Sequence, residues 1–153
     1  MRRHSAFAVP LFLMVAAAGG EAQPSRHPVV FHVSLGQASA TPVSGRLLVF
    51  AKLLGPADKR PVTRVDMDQI DTHASSIAAR EVARLEPGAS VDLDADVTAF
   101  PAPFSRLEPG RYAVQAVLDR DHSYNYTERG AGDLVSGVVE MDLPGDAPPN
   151  SFG

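Results

Sequence analysis

Fifteen residues from Asp119 to Asp133 (DRDHSYNYTERGAGD) hold the densest mixture of ionisable and aromatic side chains in the chain. His122, Tyr124, Asn125 and Tyr126 fall within five positions. Two aromatic faces beside an amide and an imidazole are the parts of a small sugar-binding platform. The architectural alternative has Tyr124 and Tyr126 packing the loop onto a sheet edge while Arg129 pairs with an acid. Asn125-Tyr126-Thr127 also fits a glycosylation acceptor. A second constellation is Asp92, Asp94 and Asp96, spaced by two. On a strand these carboxylates share one face and offer hard oxygen ligands suited to calcium. The glycine and distal glutamate of an EF-hand loop are missing, and three like charges on a solvated strand face are the structural alternative. Asp66, Asp68 and Asp71 form a similar cluster.

Covalent catalysis has little to work with. The chain has no cysteine, which excludes thiol nucleophiles, disulfides, zinc–thiolate sites and iron–sulfur clusters. It has no G-x-S-x-G elbow and no S-x-x-K. His27, His32, His73 and His122 lie in no recognisable catalytic context. The expectation is a chain with no catalytic residues of its own and no cofactor, calcium being the one candidate ion. Its formal charge of −4 argues against nucleic acid as a partner, because phosphate contacts need clustered Lys and Arg.

The elements that must position these residues read as strands. Val29, Phe31, Val33 and Leu35 alternate with Val30, His32 and Ser34. The run Leu47 to Leu54, broken only by Lys52, suits a strand buried on both faces. Ala89, Val91 and Leu93 alternate with Ser90, Asp92 and Asp94; Tyr112, Val114, Ala116 and Leu118 alternate with Arg111, Ala113, Gln115 and Val117. Leu134 to Leu143 is the last candidate. Residues 74–85 read either as two helical turns about Ile77–Ala83 or as a strand from Arg80 to Leu85. The strand is preferred, because Glu86-Pro87-Gly88 and the alternating run after it look like a hairpin.

Short strands separated by Pro-Gly and Gly-Pro pairs predict an all-β, immunoglobulin/fibronectin-III-like antiparallel β-sandwich. Pro109-Gly110 just ahead of Tyr112 resembles the tyrosine corner of such sandwiches. Tyr112 is therefore expected to be buried, with its hydroxyl bonded to backbone a few residues upstream. Arg84-Leu85-Glu86-Pro87-Gly88 recurs as Arg106-Leu107-Glu108-Pro109-Gly110, which suggests one hairpin-entry device used twice.

At the start, Arg2, Arg3 and His4 precede 13 apolar positions from Ala6 to Ala18. That is a signal-peptide core, too short to span a bilayer as a helix, with Gly20-Glu21-Ala22 as the cleavage region. Cleavage after Ala22 leaves 131 residues, 12 basic and 17 acidic, with no membrane span. The expected organisation is signal peptide 1–22, flexible start 23–28, sandwich 29–143 and a Pro/Gly-rich linker or tail 144–153. Export without cysteine points to a bacterial periplasmic or secreted protein.

Four stretches together resemble the non-catalytic N-terminal region of secreted bacterial esterases of the enterochelin-esterase-like class. They are Val43–Lys52, Ala79–Val82, Phe100–Phe104 and Tyr112–Ser136. In that family an α/β-hydrolase domain carrying the serine nucleophile follows the module. The resemblance implies an accessory β-sandwich whose hydrolase partner lies outside these residues. The alternative is a stand-alone exported binding domain for a carbohydrate or another polar ligand, contacted through the 119–133 loop.

Overall fold

The computed structural model describes residues 27–36, 41–56, 58–68, 70–125 and 129–144. The signal-peptide expectation (1–22) and most of the flexible-start (23–28) and tail (144–153) expectations lie outside the described residues. The described chain is all-β and antiparallel. Its strands are β1 (Val30–Ser34), β2 (Val43–Leu53), β3 (Ser76–Leu85), β4 (Ser90–Asp94), β5 (Ala99–Phe100), β6 (Gly110–Asp119), β7 (Leu134–Val135) and β8 (Val139–Leu143). A single 3₁₀ turn covers Phe104–Arg106. No described helix is long and apolar enough to cross a membrane.

The large sheet has the order β5-β3-β2-β6-β7, with β8 also paired to β6. The small sheet is β1-β4. They form a sandwich because the alternation in each strand puts its apolar side chains on the facing surface. From the small sheet come Val29, Phe31, Val33 and Leu93; from the large sheet come Leu47, Val49, Val82, Val114 and Leu118. Phe104 in the 3₁₀ turn is fully buried and meets Phe31 edge-to-face at 5.7 Å.

The second face of the large sheet is also covered. Leu48, Phe50, Ala113 and Val117 pack there with Val65 and Met67. Val65 and Met67 belong to the long connection between β2 and β3, which has no strand or helix among its described residues. This third layer explains the unbroken apolar run in β2: its residues alternate between two cores.

Three sequence expectations are corrected. Residues 76–85 are one strand, longer at its start than Arg80–Leu85, with no helical turn. The Glu86-Pro87-Gly88 turn does not close a hairpin: β4 leaves β3 and pairs with β1, from Val30↔Asp94 to Ser34↔Ser90. The matching Leu107–Gly110 segment leads from the 3₁₀ turn into β6, which pairs with β2, β7 and β8, so neither copy joins paired neighbours. β1 needs an in-sheet neighbour whose inward apolar positions match its own, and β4 supplies that alternation. Finally, Leu134–Leu143 is two strands. Ser136-Gly137 interrupts it, and the Ser136 hydroxyl accepts from the Ala116 N–H at 2.9 Å, filling a place in the ladder.

Candidate functional site

Asp119 ends β6 and is fully buried. One carboxylate oxygen accepts from the Arg46 guanidinium at 2.8 Å and the Tyr124 N–H at 3.3 Å; the other accepts from the Ser123 N–H at 3.0 Å. A buried carboxylate at a strand end needs such donors, and the turn after it supplies them. Asp121 also accepts from the Ser123 N–H, at 3.2 Å. Its carboxyl is held below the usual range, first by the Ser123 hydroxyl. Asp133 accepts from the Gly130 N–H at 2.7 Å and the Arg120 N–H at 3.1 Å, tying the two ends of the loop together. Carboxylate oxygens of Asp119, Asp121 and Asp133 lie within 4.8 Å of one another.

Arg129 reaches from this loop to the third layer. Its guanidinium donates to Asp66 at 3.0 and 3.1 Å, to the Val65 carbonyl at 2.9 Å and to the Gln115 side chain at 2.9 Å. Gln115 is itself buried on β6. Its side-chain oxygen also accepts from the Val65 N–H at 2.9 Å, and its amide donates to the Ser136 carbonyl at 2.8 Å. One glutamine thus joins the connection, the loop and the strand after it. Sequence alternation set Gln115 on the face opposite Tyr112, Val114 and Ala116 and missed this role. Its signal was an amide in the middle of an otherwise apolar strand.

Of the four loop residues singled out for binding, the three described ones do not gather into one platform. Tyr124 turns inward: its ring lies 5.2 Å from that of Phe50, and its hydroxyl accepts from the Met67 N–H at 3.2 Å. Burial pushes its phenol pKa up. Tyr124 is thus a wedge between loop and sheet. His122 is exposed, has a positive φ of 59° and lies 3.0 Å from Glu81 on β3. Asn125 is exposed. Tyr126 lies outside the described residues.

The three alternate acids do not gather. β4 ends at Asp94, so Asp96 no longer shares the strand face. Asp92 pairs with His32 across the small sheet. Asp94 accepts from the Asp96 N–H at 2.9 Å, and Asp96 accepts from the Ser105 N–H at 2.8 Å. Two of the three are turn anchors. Asp66, Asp68 and Asp71 also part: Asp66 holds Arg129, Asp68 accepts from the Ile70 and Asp71 N–H groups, and Asp71 accepts from the His73 N–H.

Tyr112 is buried at the start of β6, and its hydroxyl donates to the Glu108 carbonyl at 2.7 Å. Burial, then the Glu108 charge, raises its pKa. Pro109 and Gly110 make the bend between donor and acceptor. Gly110 sits close under Leu53, whose terminal carbon would lie 2.8 Å from an added Cβ. Comparison of the chain with protein-family models, curated proteins and solved structures finds no match.

Proposed function

We propose that this chain is a non-catalytic, exported β-sandwich module of immunoglobulin/fibronectin-III type, accessory to a hydrolase domain of the esterase class. The observation that carries the non-catalytic part is the use made of the polar residues in the 119–133 loop. Asp119, Tyr124, Arg129 and Asp133 bond to backbone and to neighbouring side chains in ways that hold the loop on the sheet. The accessory part rests on the resemblance of Val43–Lys52 and Tyr112–Ser136 to the N-terminal region of such esterases.

Three measurements test it. The purified chain is expected to leave p-nitrophenyl butyrate unhydrolysed above the buffer rate; turnover that follows the protein through successive columns overturns the non-catalytic part. The reading frame downstream of Gly153 is expected to continue into a segment with G-x-S-x-G; an immediate stop codon overturns the accessory part. Export is checked by fusing residues 1–28 to alkaline phosphatase, which is active only after translocation.

A second reading, a stand-alone domain for a carbohydrate or similar polar ligand, draws on His122. A left-handed backbone at a non-glycine residue carries a conformational cost and is found at binding sites. Here it presents an exposed imidazole beside Glu81, with Asn125 three residues on. A glycan panel that binds the chain, and loses binding with His122→Ala, supports this reading; an empty panel removes it.

A further inference from the structure

The sandwich is open along one side. Between β1 and β7 lies a cleft of about 120 Å³. Its floor is apolar, formed by Leu47, Val82, Ala116 and Leu118 from the large sheet and Val33 and Leu35 from the small one. Inward side chains alone would contribute every second residue of β1. Ser34 and Gly36 line the cleft as well, so it reaches the backbone edge of that strand.

That edge is unpaired among the described residues, because β1 has β4 as its one partner. The bonds Ala95 N–H to Val29 carbonyl and Leu35 N–H to Ala89 carbonyl set the phase of the β1-β4 ladder. Bonded residues in an antiparallel pair alternate, so the odd positions of β1 face β4. The N–H and C=O groups of Val30, His32 and Ser34 therefore point to the open side. On the opposite lip, the Ser136 N–H bonds the Ala116 carbonyl, so by the same alternation the backbone groups of Val135 point away from β6.

We propose that this side binds an extended peptide, which adds to β1 as a third strand and inserts alternate apolar side chains into the cleft. The backbone edge discriminates between occupants. An aliphatic chain would fit the floor, but it would strip water from Ser34 and His32 backbone groups without replacing the bonds. An added strand replaces them and brings apolar side chains at the period the cleft requires. The outward face of the small sheet is polar, with His32 against Asp92 and Ser34 against Ser90. The matching peptide therefore alternates β-branched apolar residues with polar ones. This inference does not depend on the hydrolase reading.

The test follows amide exchange by NMR on the full chain, titrated with acetylated, amidated Lys-Val-Thr-Val-Thr-Val-Lys. The expected result is saturable slowing of the His32 and Ser34 amides by about tenfold or more. It is lost when the peptide is N-methylated at alternate positions. It is lost again in Ser34→Pro, which removes an outward N–H that the β1-β4 ladder does not use and which an edge strand tolerates. An unchanged melting curve shows that this variant is folded. Binding that survives both the methylation and Ser34→Pro overturns the proposal. So does shifting of cleft methyl signals by sodium decanoate with no response to the peptide, which makes the cleft an aliphatic site. Absence of any response at millimolar peptide overturns it equally.

Discussion

Tyr112 shows how one hydroxyl ties a strand to the bend that precedes it. Its bond to the Glu108 carbonyl spans four residues and closes Pro109-Gly110 into a fixed corner. Tyr112→Phe keeps the ring in the core and removes the bond, so it should cost about 1 kcal/mol, read as a melting point a few degrees lower. Gly45 is a sharper constraint. It sits at the β2 bulge with φ of 149°, and an added Cβ would lie 2.5 Å from the Asp119 carbonyl oxygen and 2.9 Å from the Arg120 Cα. Both are backbone atoms of the neighbouring strand end, which cannot step aside as a flexible side chain would. Gly45→Ala should destabilise by about 2–4 kcal/mol in chemical denaturation, and it should also disturb the Asp119–Arg46 pair beside it.

Among the elements, the long β2–β3 connection is held by polar contacts at its middle and by apolar ones around them. Arg129, Asp66 and Gln115 form the polar part, with Arg129 largely enclosed. Removing a buried cation leaves the Asp66 carboxylate and the Gln115 oxygen short of donors. Arg129→Ala should therefore cost about 3 kcal/mol. In a double-mutant cycle with Asp66→Ala the two losses should fall short of additivity by about 1 kcal/mol or more. Additive losses would show that the pair contributes no coupling. Arg129→Lys should recover only part of the loss, because an ammonium cannot reach Asp66, Val65 and Gln115 from one planar group. Elements were also where sequence reading stopped short. Alternation located β1, β4 and β6, since period-two burial is local; it did not find the two-residue β5, and it ran β7 and β8 together. It placed β4 beside β3, because a Pro-Gly turn between two alternating runs looks the same whether the chain returns to its own sheet or crosses to the other.

For the whole molecule, the pH response follows from groups on both faces of the large sheet. Burial raises the phenol pKa of Tyr112 and of Tyr124 above the ordinary value near 10. The unfolded chain then ionises first, so the stability they contribute is intact below about pH 10 and is lost as pH rises through the raised values. Melting temperature should be flat from pH 8 to about 9.5 and fall above that, and the fall should be shallower in Tyr112→Phe. At the acid end, Asp68 is held below the usual carboxylate range by the Asp71 and then the Ile70 N–H, and Asp121 by the Ser123 hydroxyl. What they contribute is present above the ordinary carboxylate range and disappears as pH falls below it. Asp68→Asn should lower the melting point slightly at neutral pH and leave it almost unchanged in acid, so that the acid limb becomes shallower.

Local pattern by itself determined the all-β antiparallel class, the double-sided burial of β2 and the residue at the corner of β6. Each of these depends on side-chain period or on turn chemistry a few residues long. Tertiary structure decided the rest. It paired β1 with β4 across 60 residues of chain, laid Val65 and Met67 over Phe50 and Val117 as a third layer, and drew Tyr124 inward. It also turned three evenly spaced aspartates into one cross-strand partner and two turn anchors, because β4 stops at Asp94. A carboxylate's role depends on which N–H groups the fold brings within 3 Å, and spacing along the chain does not carry that information. The same holds for the open side of the sandwich: β1 reads as an ordinary alternating strand, and only the arrangement of the two sheets leaves its outer edge beside an apolar cleft.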